Sequence, residues 1–330
     1  MTKKLRRLIL LLLAVLLIPL PCCTTFPKHE PSDGPVAYIV AEDFTLLSRY
    51  APVFVAEDPN NKYNLIGTPA ARSDENGEEE IYVNPEKATV YAEKREFKTS
   101  KSTYINLIYR IHFEEIPGGF IPFYIGKGEN VGLIVVITLN SQNDPILYTT
   151  VHTCGCYLAF VPTSFLAVDE FPDEWKKERQ SVHSENLPGL LDYRESSADQ
   201  VKTMILLRRG SHRVKDIWLS ASDSLDRFNI IMGKIKPLAS LEQLPLNAGE
   251  TTSFYETSGP RKGYVKGSHK IRERVLMSWW TFDWRIGEDK KLGRDKNDGI
   301  LFYTSVKPWD REESDMRDFA TFLRYWKWKL

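Results

Sequence analysis

The sequence predicts a mainly β protein with some α: a β-sandwich-like core, then a C-terminal α+β portion ending in an amphipathic helix. Three observations predict it. Runs of strand length rich in β-branched and aromatic residues recur between residues 53 and 160, separated by Asn, Pro and Asp turn residues. One of them, Val131 to Leu139, is apolar without interruption, as in a strand covered on both faces. The last segment of the chain changes to an apolar spacing of three and four residues.

Taken in order, Asp43 to Tyr50 predicts a short helix stopped before Pro52, and Val53-Phe54-Val55 a strand. Glu80 to Val83 and Ala88 to Ala92 predict two strands about the turn Asn84-Pro85-Glu86. Tyr104 to Glu114 predicts an aromatic strand, Val131 to Leu139 the buried one, Asn140 to Asp144 a turn, and Ile146 to Phe160 a long strand. Asp173 to Arg179 and Leu187 to Arg194 have helical character, whereas Val201 to Leu207 and Val214 to Leu219 return to strand character. Four glycines and three prolines between residues 237 and 267 mark an irregular excursion. Arg272 to Trp280 predicts a helix and Gly299 to Tyr303 a strand. The terminal helix is predicted from Asp310, a cap with Glu313 three residues on, and its stripe is Met316, Phe319, Ala320, Phe322, Leu323 and Trp326. The organisation expected is a signal over 1–23, a tether over 24–36, a β-rich core over 37–236, the excursion over 237–267, and a Trp-rich portion over 268–330 packed on the core.

Composition bounds the function classes. The chain has 330 residues, 42% of them apolar, with 44 basic against 44 acidic side chains, and its mean hydropathy is -0.34. These values exclude a disordered, collagenous or polytopic membrane protein. Once Lys3, Lys4, Arg6 and Arg7 are set aside, 40 basic residues face 44 acidic ones. Such a mildly acidic body gives no electrostatic footprint for nucleic acid, which is not an expected partner.

Residues 1–23 join that basic start to an apolar run from Leu8 to Ile18, then Pro19-Leu20-Pro21-Cys22-Cys23. The run is short for a spanning helix, which needs roughly 20 apolar residues, and suits an export signal. Leu20-Pro21-Cys22-Cys23 resembles the lipobox of bacterial lipoproteins, with Cys23 as acyl acceptor and Cys22 as the alternative. That resemblance implies palmitate-type acylation, a membrane partner reached through the lipid anchor, and a place in the cell envelope. The absence of Asp just after the acceptor implies the outer membrane, facing the periplasm. A cleaved signal without lipidation, or an uncleaved anchor, is the competing reading of the same segment.

His152-Thr153-Cys154-Gly155-Cys156 is where soft ligands cluster. On a continuous strand, His152, Cys154 and Cys156 share one face, and His112 on the Tyr104–Glu114 strand is the candidate fourth ligand. Thiolate with imidazole points to zinc or copper. An extended i, i+2 cysteine pair also stands at the outer limit for a disulfide, which allows redox exchange, and buried unreactive thiols are the third reading. Gly126-Lys127-Gly128 lacks phosphate-loop spacing, and no G-x-S-x-G nucleophile motif occurs. Six of the eight tryptophans lie in the last 52 residues. Trp326, Lys327, Trp328 and Lys329 interleave rings with cations and are a candidate membrane interface, with a packing cluster or a glycan-stacking surface as alternatives.

Arg49-Tyr50-Ala51-Pro52-Val53-Phe54, the strand Leu107 to Phe113, and the strand-turn-strand pair that carries His152 are similar in order to the necrosis-inducing cytolysin superfamily over residues 43–160. The resemblance implies a β-sandwich. The metal-holding His-x-x-Asp-Trp-Glu pattern of that superfamily does not stand at Gly126 to Leu133. The function expected is an exported, lipid-anchored envelope protein acting as a binding or accessory module for an envelope protein or glycan. The alternative is a metal-dependent or thiol enzyme.

Overall fold

The computed structural model describes residues 34–330 apart from 42, 44, 119–125, 195–200 and 247–248. The predicted signal, Cys22, Cys23 and most of the tether lie outside the described residues.

The chain is mainly β with a few helices. Its strands are β1 Val36–Val40, β2 Val53–Ala56, β3 Thr68–Ser73, β4 Glu79–Asn84, β5 Thr89–Lys98, β6 Thr103–Ile116, β7 Gly128–Leu139, β8 Pro145–His152, β9 Ala159–Pro162, β10 Gln180–Val182, β11 Glu185–Leu187, β12 Val201–Leu207, β13 Val214–Ala221, β14 Asn229–Pro237, β15 Leu244–Pro245 and β16 Thr251–Thr252. The α-helices are α1 Leu46–Arg49, α2 Ile271–Thr281 and α3 Phe319–Tyr325. Ten strands form one sheet in the order β13-β12-β2-β1-β14-β5-β6-β7-β8-β9. The run β5 to β9 is an antiparallel meander, whereas β1 pairs with β14, β14 with β5, and β12 with β2 in parallel.

The sandwich-like core is realised by curling this single sheet. Tyr148 on β8 meets Thr203 on β12, near the opposite end of the strand order, through a 2.7 Å hydroxyl hydrogen bond. Between them the concave face closes over Tyr38, Phe54, Tyr109, Val135, Tyr148 and Ile205. Tyrosines at this core reach polar partners, as buried hydroxyls must: Tyr109 donates to the Leu47 carbonyl at 2.9 Å and Tyr50 to that of Asn143 at 2.7 Å. The convex face of β6 to β8 presents Ile108, Ile134, Val136, Leu147 and Val151 to residues that follow β14, among them Leu241, Phe254, Phe302 and Phe322. Both faces of β7 are therefore covered, and that is why its sequence lacks alternation.

Several predicted elements differ. The long strand over Ile146 to Phe160 is two strands, β8 and β9, with a turn after His152. Asp173 to Arg179 and Leu187 to Arg194 are not helices; turns flank the hairpin β10–β11, and both Arg208 and Arg213 bind the buried Glu185 carboxylate within it. Pro188 and Gly189 disfavour helix in the second segment, and a 2.8 Å hydrogen bond from the Trp175 indole N–H to the Gly189 carbonyl ties the two segments together. Gly299 to Tyr303 makes only an isolated bridge, from Tyr303 to Asp315. The terminal helix starts at Phe319, where Asp318 caps it by accepting from the Thr321 N–H at 3.1 Å, so Asp310 falls in a preceding short 3-10 turn.

Candidate functional site

The thiol segment is built on the register of β6, β7 and β8. Ile111 faces Leu133 and Leu133 faces His152, so these three point into the concave core. His112 faces Gly132, one residue out of phase, and points to the convex side against the rings of Tyr91 and Phe254. A one-residue offset reverses the face. His112 and His152 therefore stand on opposite sides of the sheet, and the predicted four-ligand set is not assembled. His112 instead accepts from Arg110 Nε at 3.0 Å. Among the described residues no group of three or more His, Cys, Asp or Glu side chains is arranged to hold a metal ion.

His152 is buried beside Tyr157, and His212 stacks flat on Phe113 at 4.0 Å between ring centres. Burial pushes both imidazoles down to about 3, helped at His152 by Lys270 and at His212 by His152 itself. They are neutral packing groups at physiological pH.

After His152 the chain turns sharply. The His152 N–H bonds the Cys156 carbonyl at 2.9 Å and the Gly155 N–H bonds the His152 carbonyl at 2.8 Å. Gly155 sits at φ +93°, and a Cβ there would lie 2.2 Å from the Tyr303 carbonyl oxygen, so both conformation and space demand glycine. The turn folds the two cysteines together: the Cys156 N–H donates to Cys154 Sγ at 3.4 Å. Cys154 and Cys156 are free thiols, the first buried and the second partly exposed. The geometry that places them on one strand face is thus replaced by a closed turn.

Four charged groups from the C-terminal portion surround that turn. Lys290 Nζ donates to the Cys154 carbonyl at 2.9 Å and lies 4.0 Å above the Tyr303 ring. Lys270 pairs with Asp289 at 3.1 Å, and the same carboxylate accepts from Ser268 Oγ at 2.8 Å and from Thr153 Oγ1. Glu273 Oε1 stands 4.0 Å from Cys156 Sγ. A hydrogen bond from Cys156 and the nearby Lys270 cation lower the Cys154 thiol, while the same pairing raises that of Cys156. Burial raises the Glu273 carboxyl. The arrangement lowers the Cys154 thiol and leaves the proton with Cys156 by preference, the direction that favours thiol–disulfide exchange. The sequence reading missed Lys270, Glu273, Asp289 and Lys290, because Glu288-Asp289-Lys290-Lys291 has the composition of a solvated loop. Nothing local signals that Glu288, Asp289 and Lys290 are buried, or that the Lys290 carbonyl accepts from Arg110 on β6 at 2.8 Å.

The tryptophans divide differently from the expectation. Trp328 packs against Phe160, Phe171 and Trp175 in the convex-side core and is 3% exposed. Trp326 is half-buried, its indole N–H bonding Thr304 Oγ1 at 3.1 Å. Lys327 and Lys329 are exposed, and Lys329 pairs with Asp173. The C-terminal run is therefore a packing element rather than an interface, because its rings are consumed inside. Exposed rings stand elsewhere, on α2 and beside it: Trp279, Trp280, Phe282, Trp284 and Trp309.

Helix α2 is inverted. Its inward face carries Glu273, Ser278 and Thr281, all buried, and Arg274, which pairs with Glu288. Its outward face carries Ile271, Val275, Leu276, Trp279 and Trp280, all exposed. A helix of a soluble surface shows the opposite order.

No protein-family model matches the chain, and neither a curated protein nor a solved structure matches it. No described helix is long and apolar enough to cross a membrane.

Proposed function

We propose that this is an exported protein held at the bacterial envelope through its amino-terminal segment, acylated at Cys23 or, failing that, Cys22, and acting there as a binding or accessory module. The observation that carries the binding role is the inversion of α2: apolar side chains face outward from a helix whose polar side is satisfied inside, which is the design of a surface awaiting an apolar partner. Its amino-terminal support is the basic, apolar, cysteine-ended order of residues 1–23. In bacteria grown with labelled palmitate, the full chain is expected to take up label and sediment with outer membranes, and Cys23→Ser is expected to lose most of both. Unlabelled wild-type protein in a soluble fraction overturns the anchoring.

A second reading, thiol chemistry, is favoured by one observation: the turn that sets Cys154 and Cys156 against each other beside Lys270 and Glu273. In that reading one thiol of the pair attacks a disulfide, one substrate sulfur leaves as thiolate, and the second thiol then displaces the other to close the Cys154–Cys156 disulfide, so the dithiol is oxidised by two electrons and the substrate disulfide reduced. Thiol titration of the native protein before and after a disulfide reagent is expected to lose two thiols together. Two thiols that stay reduced and unreactive until the chain unfolds reject it.

A further inference from the structure

We infer that the outward face of α2, continued by Phe282, Trp284 and Trp309, seats in the interfacial layer of an anionic lipid bilayer. This inference rests on the proposed anchoring and names the partner of the same surface.

The face is large, contiguous and rigid. Ile271, Val275 and Trp279 recur at intervals of four residues and are 65%, 67% and 70% exposed, and Phe282 just past the helix end is 78% exposed. Spacing by four places them in one row along the helix. The helix is not loosely attached. Arg274 is paired with the buried Glu288, Glu273 lies over the thiol turn, and Arg311 donates to the Thr281 carbonyl at the carboxyl end. That last bond also fixes the segment bearing Trp309, which is 75% exposed. An apolar surface held this firmly cannot relieve its exposure by folding inward.

Its composition selects the partner. The rings are mostly tryptophan, the side chain that suits a layer apolar on one side and wet on the other. On the helix itself the charged residue of the exposed row is a cation, Arg272, while Glu273 is buried and Asp283 is bonded to the Tyr303 hydroxyl; near Trp309, Lys307 is exposed alongside Glu312 and Glu313. Cation and rings together complement anionic headgroups above acyl chains. Geometry also supplies the bilayer. Residues 24–36 reach roughly 40 Å when extended, so a body anchored through residues 1–23 meets the membrane at high effective concentration, and even a weak seat is occupied.

The test uses the full chain with vesicles of phosphatidylcholine alone or of phosphatidylcholine with phosphatidylglycerol, reading flotation and iodide quenching of tryptophan fluorescence. Four of the eight tryptophans are exposed on or beside α2, so quenching is expected to fall by about half on the anionic vesicles and less on the neutral ones. Val275→Asp places an anion on an already exposed position and is expected to restore quenching on anionic vesicles with the near-ultraviolet circular dichroism unchanged. Full quenching of vesicle-bound wild-type protein overturns the inference, as does equal protection on both lipids. Protection without vesicles, together with a doubled mass in sedimentation, assigns the face to a second copy and overturns it too. Failure of the anchor gives a different pattern: flotation with anionic vesicles alone, abolished by Val275→Asp.

Discussion

His152 and His212 are imidazoles made neutral by their surroundings. Each has an ordinary value near 6.5 in an unfolded chain and about 3 in the fold. Between those values the unfolded state binds the proton and the native state refuses it, so stability is complete above about pH 6.5 and falls as the pH drops toward 3. The charged or chargeable groups facing His152 are Lys270, Arg213 and His183, all cationic or potentially so; His212 contributes its backbone carbonyl, and none of these offers a compensating carboxylate. His152→Leu is therefore expected to flatten the acid limb of a melting-temperature profile between pH 6.5 and 4, while lowering the neutral plateau because the replacement loses a backbone hydrogen bond to His212. An acid limb as steep as that of the wild type would show that these residues do not govern it. Cys154 and Cys156 belong to the same scale: their identity was legible in the sequence, but their mutual contact was not, because it depends on a turn forced by Gly155 against the Tyr303 backbone.

At the scale of elements, periodicity served well where one environment covers a whole strand or helix face. The β6, β7 and β12 segments follow their sequence patterns, and so does the part of the predicted stripe that is helical: Phe319, Phe322 and Leu323 are buried on α3, with Met316 buried in the turn before it. Trp328 shows where periodicity ran out. It lies beyond the helical end of α3, where Lys327 adopts a left-handed conformation at φ +68°. That reversal carries the ring back toward Phe160, Phe171 and Trp175. Because it fills a core position, Trp328→Ala is expected to lower unfolding stability by about 3–5 kcal/mol in denaturant titration, with no effect on vesicle binding by the body. A loss below about 1 kcal/mol would contradict its role in packing. For α2, apolar spacing at four residues was present in the sequence, but spacing alone cannot say whether a row faces inward or outward. The register of its polar row against Glu288 and the thiol turn decides that.

Across the whole molecule, the sheet is organised by pairings between distant segments. β1 and β14 lie side by side in parallel at the middle of the order although Val36 and its partner Asn229 are 193 residues apart in the chain. Neither was legible beforehand: β1 is short and adjoins the predicted tether, and β14 is largely exposed, with a buried Gly233 at its centre and few of the core residues that mark a strand. The curl has the same origin. The Tyr148–Thr203 hydrogen bond closes it, and no local spacing predicts a contact between residues 55 apart in the chain. The convex-side cover then buries Glu288, Asp289 and Lys290, each with partners drawn from elsewhere in the chain. Charges of that kind read as solvated until their partners are known, because a lone ion is driven to water and only the assembled pairs and hydrogen bonds compensate its desolvation.

The sequence by itself determined the strand-rich class, the neutral and mildly acidic body, and the residues available for chemistry, since all of these follow from composition and short-range period. Only the tertiary structure decided which of those residues meet. It set His112 and His152 on opposite faces, folded Cys154 against Cys156, withdrew Trp328 into the core and turned the apolar row of α2 outward. The physical reason is common to all four. Which way a side chain points follows from register, turns and packing against distant segments, and those are settled by burial and hydrogen-bond satisfaction over the whole fold.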